Sequence, residues 1–273
     1  MKRLMLLCVA LLSAAALTVP MVGQAGNSGK DGRTFYATDD AGNLLSFSAD
    51  NTRRIDSSRP ISGLPAGVSL RGIDFRPATG ELYGVGSDSV VYRVSRVTAK
   101  AVAEGPASTT PLRGRFFGVD FNPTVDRIRV TSDADQNLRL HPDTGALVMS
   151  DTDLNPDDPT VVGSAYTNSS FSATLASSTI LYALDGLDDA IYVQNANAGT
   201  LSMRRDLDIN VRGNSGFDIA GAANVGYVAT ASDRRPGAEL YRVNVQTGDT
   251  KRLGQIGRGG IVITGLAAVQ DLS

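Results

Sequence analysis

The chain has 273 residues, of which 42% are apolar, 6% aromatic and 20% charged, with 29 Gly, 11 Pro, no Trp, and 26 basic residues against 28 acidic ones. Its length can bury a sizeable core, as one large domain or two small ones. Its hydrophobicity and small net charge exclude disorder, and the charge balance argues against a strong electrostatic grip on nucleic acid. Abundant Gly, with Tyr and Phe as the only aromatics, suits many strands joined by tight turns.

The chain opens with Lys2 and Arg3, an apolar run from Leu4 to Leu17, then Pro20 and the small-residue segment Gly23-Gln24-Ala25. This is the layout of a secretory leader over residues 1–25, with cleavage after Ala25. The run is short for a membrane anchor, and Cys8 lies inside it rather than at a lipoprotein cleavage site. Cleavage removes two positive charges, no acid, and the only Cys. The exported product is therefore expected to have no disulfide or thiol chemistry and no membrane span.

After a flexible segment, 26–33, a single domain is expected over 34–273. Thr34-Phe35-Tyr36-Ala37 and Asn43-Leu44-Leu45-Ser46 read as the middle strands of a unit that has no first strand before it. Gly72-Ile73-Asp74-Phe75 opens a full unit, followed by segments centred on Tyr83 and on Val91-Tyr92-Arg93-Val94. The pattern returns as Gly118-Val119-Asp120-Phe121, Arg129 and Asn137-Leu138-Arg139-Leu140. A blurred copy has Gly163-Ser164-Ala165-Tyr166, Ile180-Leu181-Tyr182-Ala183 and Ala190-Ile191-Tyr192-Val193. The last full copy has Gly216-Phe217-Asp218-Ile219, Tyr227 and Leu240-Tyr241-Arg242-Val243. Gly265-Leu266-Ala267-Ala268 then stands alone, complementing the incomplete unit at the other end.

The second-strand anchors Tyr36, Tyr83, Arg129, Tyr182 and Tyr227 are 47, 46, 53 and 45 residues apart. A unit of that size with several short strands matches one propeller blade. Turns such as Pro77-Ala78-Thr79-Gly80 and Pro142-Asp143-Thr144-Gly145 separate the strands. The expected fold is an all-β, five-bladed β-propeller whose last blade is closed by N- and C-terminal strands, which removes open edges.

Gly118-Val-Asp-Phe-Asn-Pro-Thr-Val-Asp-Arg-Ile-Arg-Val130, Gln136-Asn-Leu-Arg-Leu-His-Pro-Asp-Thr-Gly145 and Gly72-Ile-Asp-Phe-Arg-Pro-Ala-Thr-Gly-Glu-Leu-Tyr83 resemble elements of the bacterial family called domain of unknown function 4394. The resemblance runs from about Phe35 to Val269 and implies an exported, propeller-like domain with no established activity.

Chemistry-bearing residues are few. His141, the only histidine, precedes a turn, and one His without a mature Cys leaves too few soft ligands for zinc. Asp74, Asp120 and Asp218 lie on first strands, which line a propeller's channel, and sugar hydrolysis needs two carboxylic acids at a set separation. They recur at one place in three repeats, however, and a recurring Asp more often bonds backbone. Asp151, Asp153, Asn155 and Asp157 space oxygen donors as hard-cation loops do, but Pro156 stands where the helical calcium loop requires Gly and Val162 where it requires Glu.

Arg129 breaks the Tyr pattern. A buried Arg needs a partner, and Asp120, Asp126 and Asp133 are the nearest acids in sequence. It belongs either to an interblade ion-pair network or to a pocket for a carboxylate, phosphate or sugar built by Arg127, Arg129, Gln136, Asn137 and Arg139.

The functional expectation is an exported, non-enzymatic, monomeric propeller, periplasmic or extracellular, that needs no cofactor. It would bind or scaffold a small molecule, a glycan or an envelope protein. The alternatives are a glycan-acting hydrolase using the first-strand carboxylates and a calcium-stabilised module. Two aspartates converging in an open channel favour the enzyme; carboxylates capped by backbone N–H favour the scaffold.

Overall fold

The computed structural model describes residues 32–221 and 225–271. The expected leader, residues 1–25, and most of the expected flexible segment lie outside the described residues. Among the described residues twenty strands form five four-stranded antiparallel sheets, so the architecture is the one expected.

The chain begins with β1 (Thr34–Asp39), β2 (Asn43–Ser48) and β3 (Asn51–Pro60). Blade 1 is β4 (Leu70–Phe75), β5 (Leu82–Gly86), β6 (Val91–Val94) and β7 (Ala101–Ala103). Blade 2 is β8 (Phe117–Asn122), β9 (Arg127–Ser132), β10 (Asn137–Leu140) and β11 (Leu147–Ser150). Blade 3 is β12 (Val161–Tyr166), β13 (Leu181–Asp185), β14 (Ala190–Gln194) and β15 (Leu201–Asp206). Blade 4 is β16 (Ser215–Ala220), β17 (Val225–Ala231), β18 (Ala238–Asn244) and β19 (Thr250–Gln255). The last strand, β20 (Ile263–Ala268), pairs with β1 through Phe35↔Ala268, Tyr36↔Ala267, Ala37↔Leu266 and Thr38↔Gly265. It thus supplies the first strand that the N-terminal unit lacks, making the closing blade β20-β1-β2-β3.

Inner strands such as β12 and β16 are buried along their whole length, because each blade is covered on both faces. Outer strands such as β3 and β15 are mostly exposed and carry the polar residues. In blades 2, 3 and 4 the turn between third and fourth strands has one solution. Gly145, Gly199 and Gly248 take left-handed φ angles of 65°, 69° and 86°, and each N–H donates to the carbonyl four residues back.

The core is divided among the joints between blades. Four joints hold extended apolar clusters; that between blades 2 and 3 has only Leu154, Val161, Ala183 and Leu201, with Tyr192 beside them. At several joints the second-strand anchor of one blade meets the first strand of the next. Tyr36 packs edge-on to Phe75 at 5.7 Å and Tyr83 to Phe121 at 5.3 Å. Among the described residues no helix is long and apolar enough to cross a membrane.

Candidate functional site

The five innermost strands β4, β8, β12, β16 and β20 neighbour one another in a closed ring. At its tightest level each contributes a glycine: Gly72, Gly118, Gly163, Gly216 and Gly265. A Cβ on Gly72 would lie 2.6 Å from Val119 Cγ2, one on Gly118 2.7 Å from the Gly163 carbonyl carbon, and one on Gly163 2.8 Å from Phe217 Cβ. On Gly216 it would meet Leu266 N at 2.8 Å, and on Gly265 Thr38 Oγ1 at 2.9 Å. The cavity at this level is about 10 Å³, room for one water at most.

Two residues further along three of these strands are Asp74, Asp120 and Asp218, all buried. Each accepts a backbone N–H from the next innermost strand that carries one residue past the matching position. Phe121 N–H donates to Asp74 Oδ2 at 2.7 Å, Tyr166 N–H to Asp120 Oδ1 at 3.1 Å, and Ala268 N–H to Asp218 Oδ2 at 2.6 Å. Asp218 Oδ1 also accepts from Ile219 N–H at 2.6 Å. The recurring aspartates are therefore stitches between blades.

One oxygen from each carboxylate lies within 4.8 Å of the other two, close enough for one metal ion. A calcium ion wants six to eight oxygens, whereas the remaining ring positions are Ala165 and Ala267 and the acids already accept backbone hydrogen bonds. Protons resolve the crowding instead. Burial, then the Asp218 charge, holds Asp74 well above the usual carboxylate range; burial, then Asp74 and Asp218, does the same to Asp120. Burial pushes Asp218 up to about 7, against the pull of the Ala268 and Ile219 N–H groups.

The Arg129 environment follows from the thin apolar joint between blades 2 and 3. The Arg129 side chain is 1% exposed and its ion-pair partner is Asp151, 5% exposed, at 2.8 Å. Its guanidinium also donates to Asn137 Oδ1 at 2.6 Å and to Tyr166 OH at 3.3 Å. Arg139 clamps Asp151 from outside with bonds of 2.8 and 2.7 Å. Asn137 Nδ2 reaches the Thr152 and Ala196 carbonyls, the latter in blade 3. The acids nearest in sequence are engaged elsewhere: Asp120 by Tyr166 N–H, Asp126 by Arg76, and Asp133 by the Arg115 and Phe116 N–H groups.

Of the five residues expected to form a pocket, Arg129, Asn137 and Arg139 thus meet at Asp151. Arg127 instead donates to the Val125 and Asp126 carbonyls, and Gln136 bridges Arg113 N–H and the Pro111 carbonyl. In the oxygen-rich loop, Asp151 serves the two arginines, exposed Asp153 lies 3.6 Å from Arg113, and Asn155 bonds the Asp153 and Ala198 carbonyls. Asp157 sits at a turn with φ 65°. His141 Nδ1 accepts the Asp143 N–H within its own turn.

The two ends of the ring differ. Residues 167–180, between β12 and β13, cross one end: Phe171 N–H donates to the Asp271 carbonyl, Ser172 N–H to Pro77 and Ala176 N–H to Pro123. Those acceptors follow β20, β4 and β8, so the strap covers the side on which the inner strands end, and the Phe171 ring packs on Phe75 at 5.6 Å. Segments that lead into β4, β8 and β16, with the β1–β2 turn and Thr264 of β20, instead surround an open mouth of about 650 Å³. Its lining includes Leu64, Val68, Arg71, Arg115, Phe116 and Asn214. Sequence patterning gave no hint of this mouth, because its residues lie outside the repeated positions.

Fold and site together define a five-bladed β-propeller with stitched inner strands, one covered end and one open mouth. The chain belongs to the family described as Domain of unknown function (DUF4394), whose pattern matches residues 43–267. In structure it is similar to a hydrazine synthase of Kuenenia stuttgartiensis (10% identity, 74% of this chain and 53% of that one, TM-score 0.44). It is likewise similar to the Dos1 propeller (8%, 78% and 54%, TM-score 0.42) and to a chain of a nidogen/laminin complex (11%, 88% and 99%, TM-score 0.49). It therefore spans about half the length of the first two. No curated protein matches the sequence.

Two predictions follow from the buried charges. The three ring aspartates bind protons more tightly folded than unfolded, so the stability they confer is complete below about pH 4 and is lost as pH rises above it, for Asp218 through about 7, by at most about 1.4 kcal/mol per pH unit for each group. Thermal melts should therefore fall from pH 5.5 to pH 8, and Asp218→Asn should flatten that fall; an unchanged slope would contradict the assignment. Separately, Arg129→Ala should cost about 3 kcal/mol, since it removes one partner from a buried pair and leaves a void. Arg129→Tyr should cost less, because Asp151 keeps Arg139 and the anchor regains an aromatic ring against Tyr166. Wild-type melting of Arg129→Ala would refute the structural role.

Proposed function

We propose that this protein is an exported, non-enzymatic propeller that binds or scaffolds outside the cytoplasm, in the periplasm or beyond, and that its open mouth is the binding end. The observation that carries this reading is the state of the ring aspartates. A glycosidase presents one acid and one base to a substrate, whereas Asp74, Asp120 and Asp218 are buried, hold backbone N–H groups of neighbouring blades, and do not line the mouth. His141 is tied to its own turn, so it supplies no base to a nucleophile. The leader-like residues 1–25 support export. The mouth, mixed in polarity and several hundred Å³ in volume, has the size of a small-molecule site.

Incubation with a panel of glycans should release no reducing ends, and N-terminal sequencing of protein recovered outside the cytoplasm should begin near Gly26. Glycan cleavage that Asp120→Asn abolishes would overturn the non-enzymatic reading, and retention of residues 1–25 would overturn export.

A further inference from the structure

The mouth has two uncommitted cations. Among the described residues, the Arg71 guanidinium has no hydrogen bond or ion pair, although the residue is half-buried. Other half-buried arginines hold carboxylates: Arg33 holds Asp271, Arg76 holds Asp126 and Asp143, and Arg139 holds Asp151. Arg115, also lining the mouth, has no acid partner and stacks over the Phe116 ring at 5.2 Å.

The scaffold around these cations is fixed. Asp133 Oδ1 accepts the Arg115 and Phe116 N–H groups at 2.7 and 3.1 Å, and Gln136 Oε1 accepts Arg113 N–H at 2.9 Å. Phe116 lies so close to Gly213 that a Cβ there would meet the ring. Arg71 sits at an irregularity of β4, where pairing with β5 shifts between Leu70 and Gly72. Of the acids at the rim, Asp39 is engaged by Asn43 through bonds of 2.7 and 2.9 Å. Asp40 is exposed, where solvent and salt screen it.

We propose that the mouth binds a small amphipathic anion, its oxyanion group held by Arg71 and Arg115 and its apolar body lying against Leu64, Val68 and Phe116. An arginine fork matches the oxygens of a carboxylate or a phosphate, and a preformed wall lowers the ordering cost of binding. The inference rests on the mouth being the binding end and adds the charge of what it takes.

Three fragment probes test it: benzoate, phenyl phosphate and neutral benzamide, titrated into the purified protein while backbone and arginine side-chain amide resonances are followed by NMR. Benzoate or phenyl phosphate should shift the Arg71, Arg115 and Phe116 signals and bind at least about tenfold more tightly than benzamide, the worth of one charge-assisted bond. The stronger of the two distinguishes carboxylate from phosphate. Arg71→Gln should weaken that probe about tenfold while leaving benzamide unchanged, and Arg71→Lys should restore part of the loss. Equal binding of benzamide and the anions at the mouth would overturn the anion assignment but keep the mouth as the binding end. No shift at the mouth with any probe would overturn both.

Discussion

Everything in this propeller depends on how closely five inner strands approach the axis. Gly72, Gly118, Gly163, Gly216 and Gly265 occupy that level; at the first four a single added carbon would strike the next inner strand, and at Gly265 it would strike Thr38 and crowd Gly72. None of the five has a left-handed φ, so glycine is required there for space rather than for backbone freedom. Close approach has a second effect: it leaves inner-strand N–H groups facing the next blade in a place water barely enters. Buried donors without partners are costly, and the aspartates two residues on accept three of them. Burial then raises the pKa of all three acids, and repulsion from neighbouring carboxylates adds to it at Asp74 and Asp120.

The joint between blades 2 and 3 shows the same logic in another form. Its apolar cluster is the smallest of the five, and the aromatic pair found as Tyr36–Phe75 and Tyr83–Phe121 becomes Arg129 with Tyr166. Asp151, Asn137 and Arg139 complete the charge and hydrogen bonding. This buried network, which joins β9 and β10 to Tyr166 and Ala196 of blade 3, is a blade fastener. Arg71 and Arg115 at the mouth, by contrast, have no carboxylate partner among the described residues, unlike the two arginines that fasten this joint.

Much of the architecture was legible in the sequence. The repeated Gly-apolar-Asp strands, the evenly spaced anchors and the complementary half-units at the two ends gave five blades and their closure, because each reflects a position repeated around the ring. The recurrence of the aspartates pointed to backbone bonding, although their convergence on the axis was not readable. The partner of Arg129 was not readable either: Asp151 is 22 residues away, and the nearer acids are held by groups on other strands. The 53-residue step marked the blade that carries the strap over residues 167–180, without showing where it lay. The mouth, assembled from unrepeated loop residues, left no periodic trace.

The most direct measurement is the sign of the stability change in Gly118→Ala and Gly216→Ala. At ordinary φ angles, replacing Gly by Ala stabilises a chain by about 0.4–1 kcal/mol through the unfolded state alone. If the glycines set the approach of the inner strands, overpacking must outweigh that gain and cost about 1–3 kcal/mol or more. Calorimetric melts of the two variants should therefore lie clearly below wild type. Melting temperatures equal to or above wild type would contradict the account.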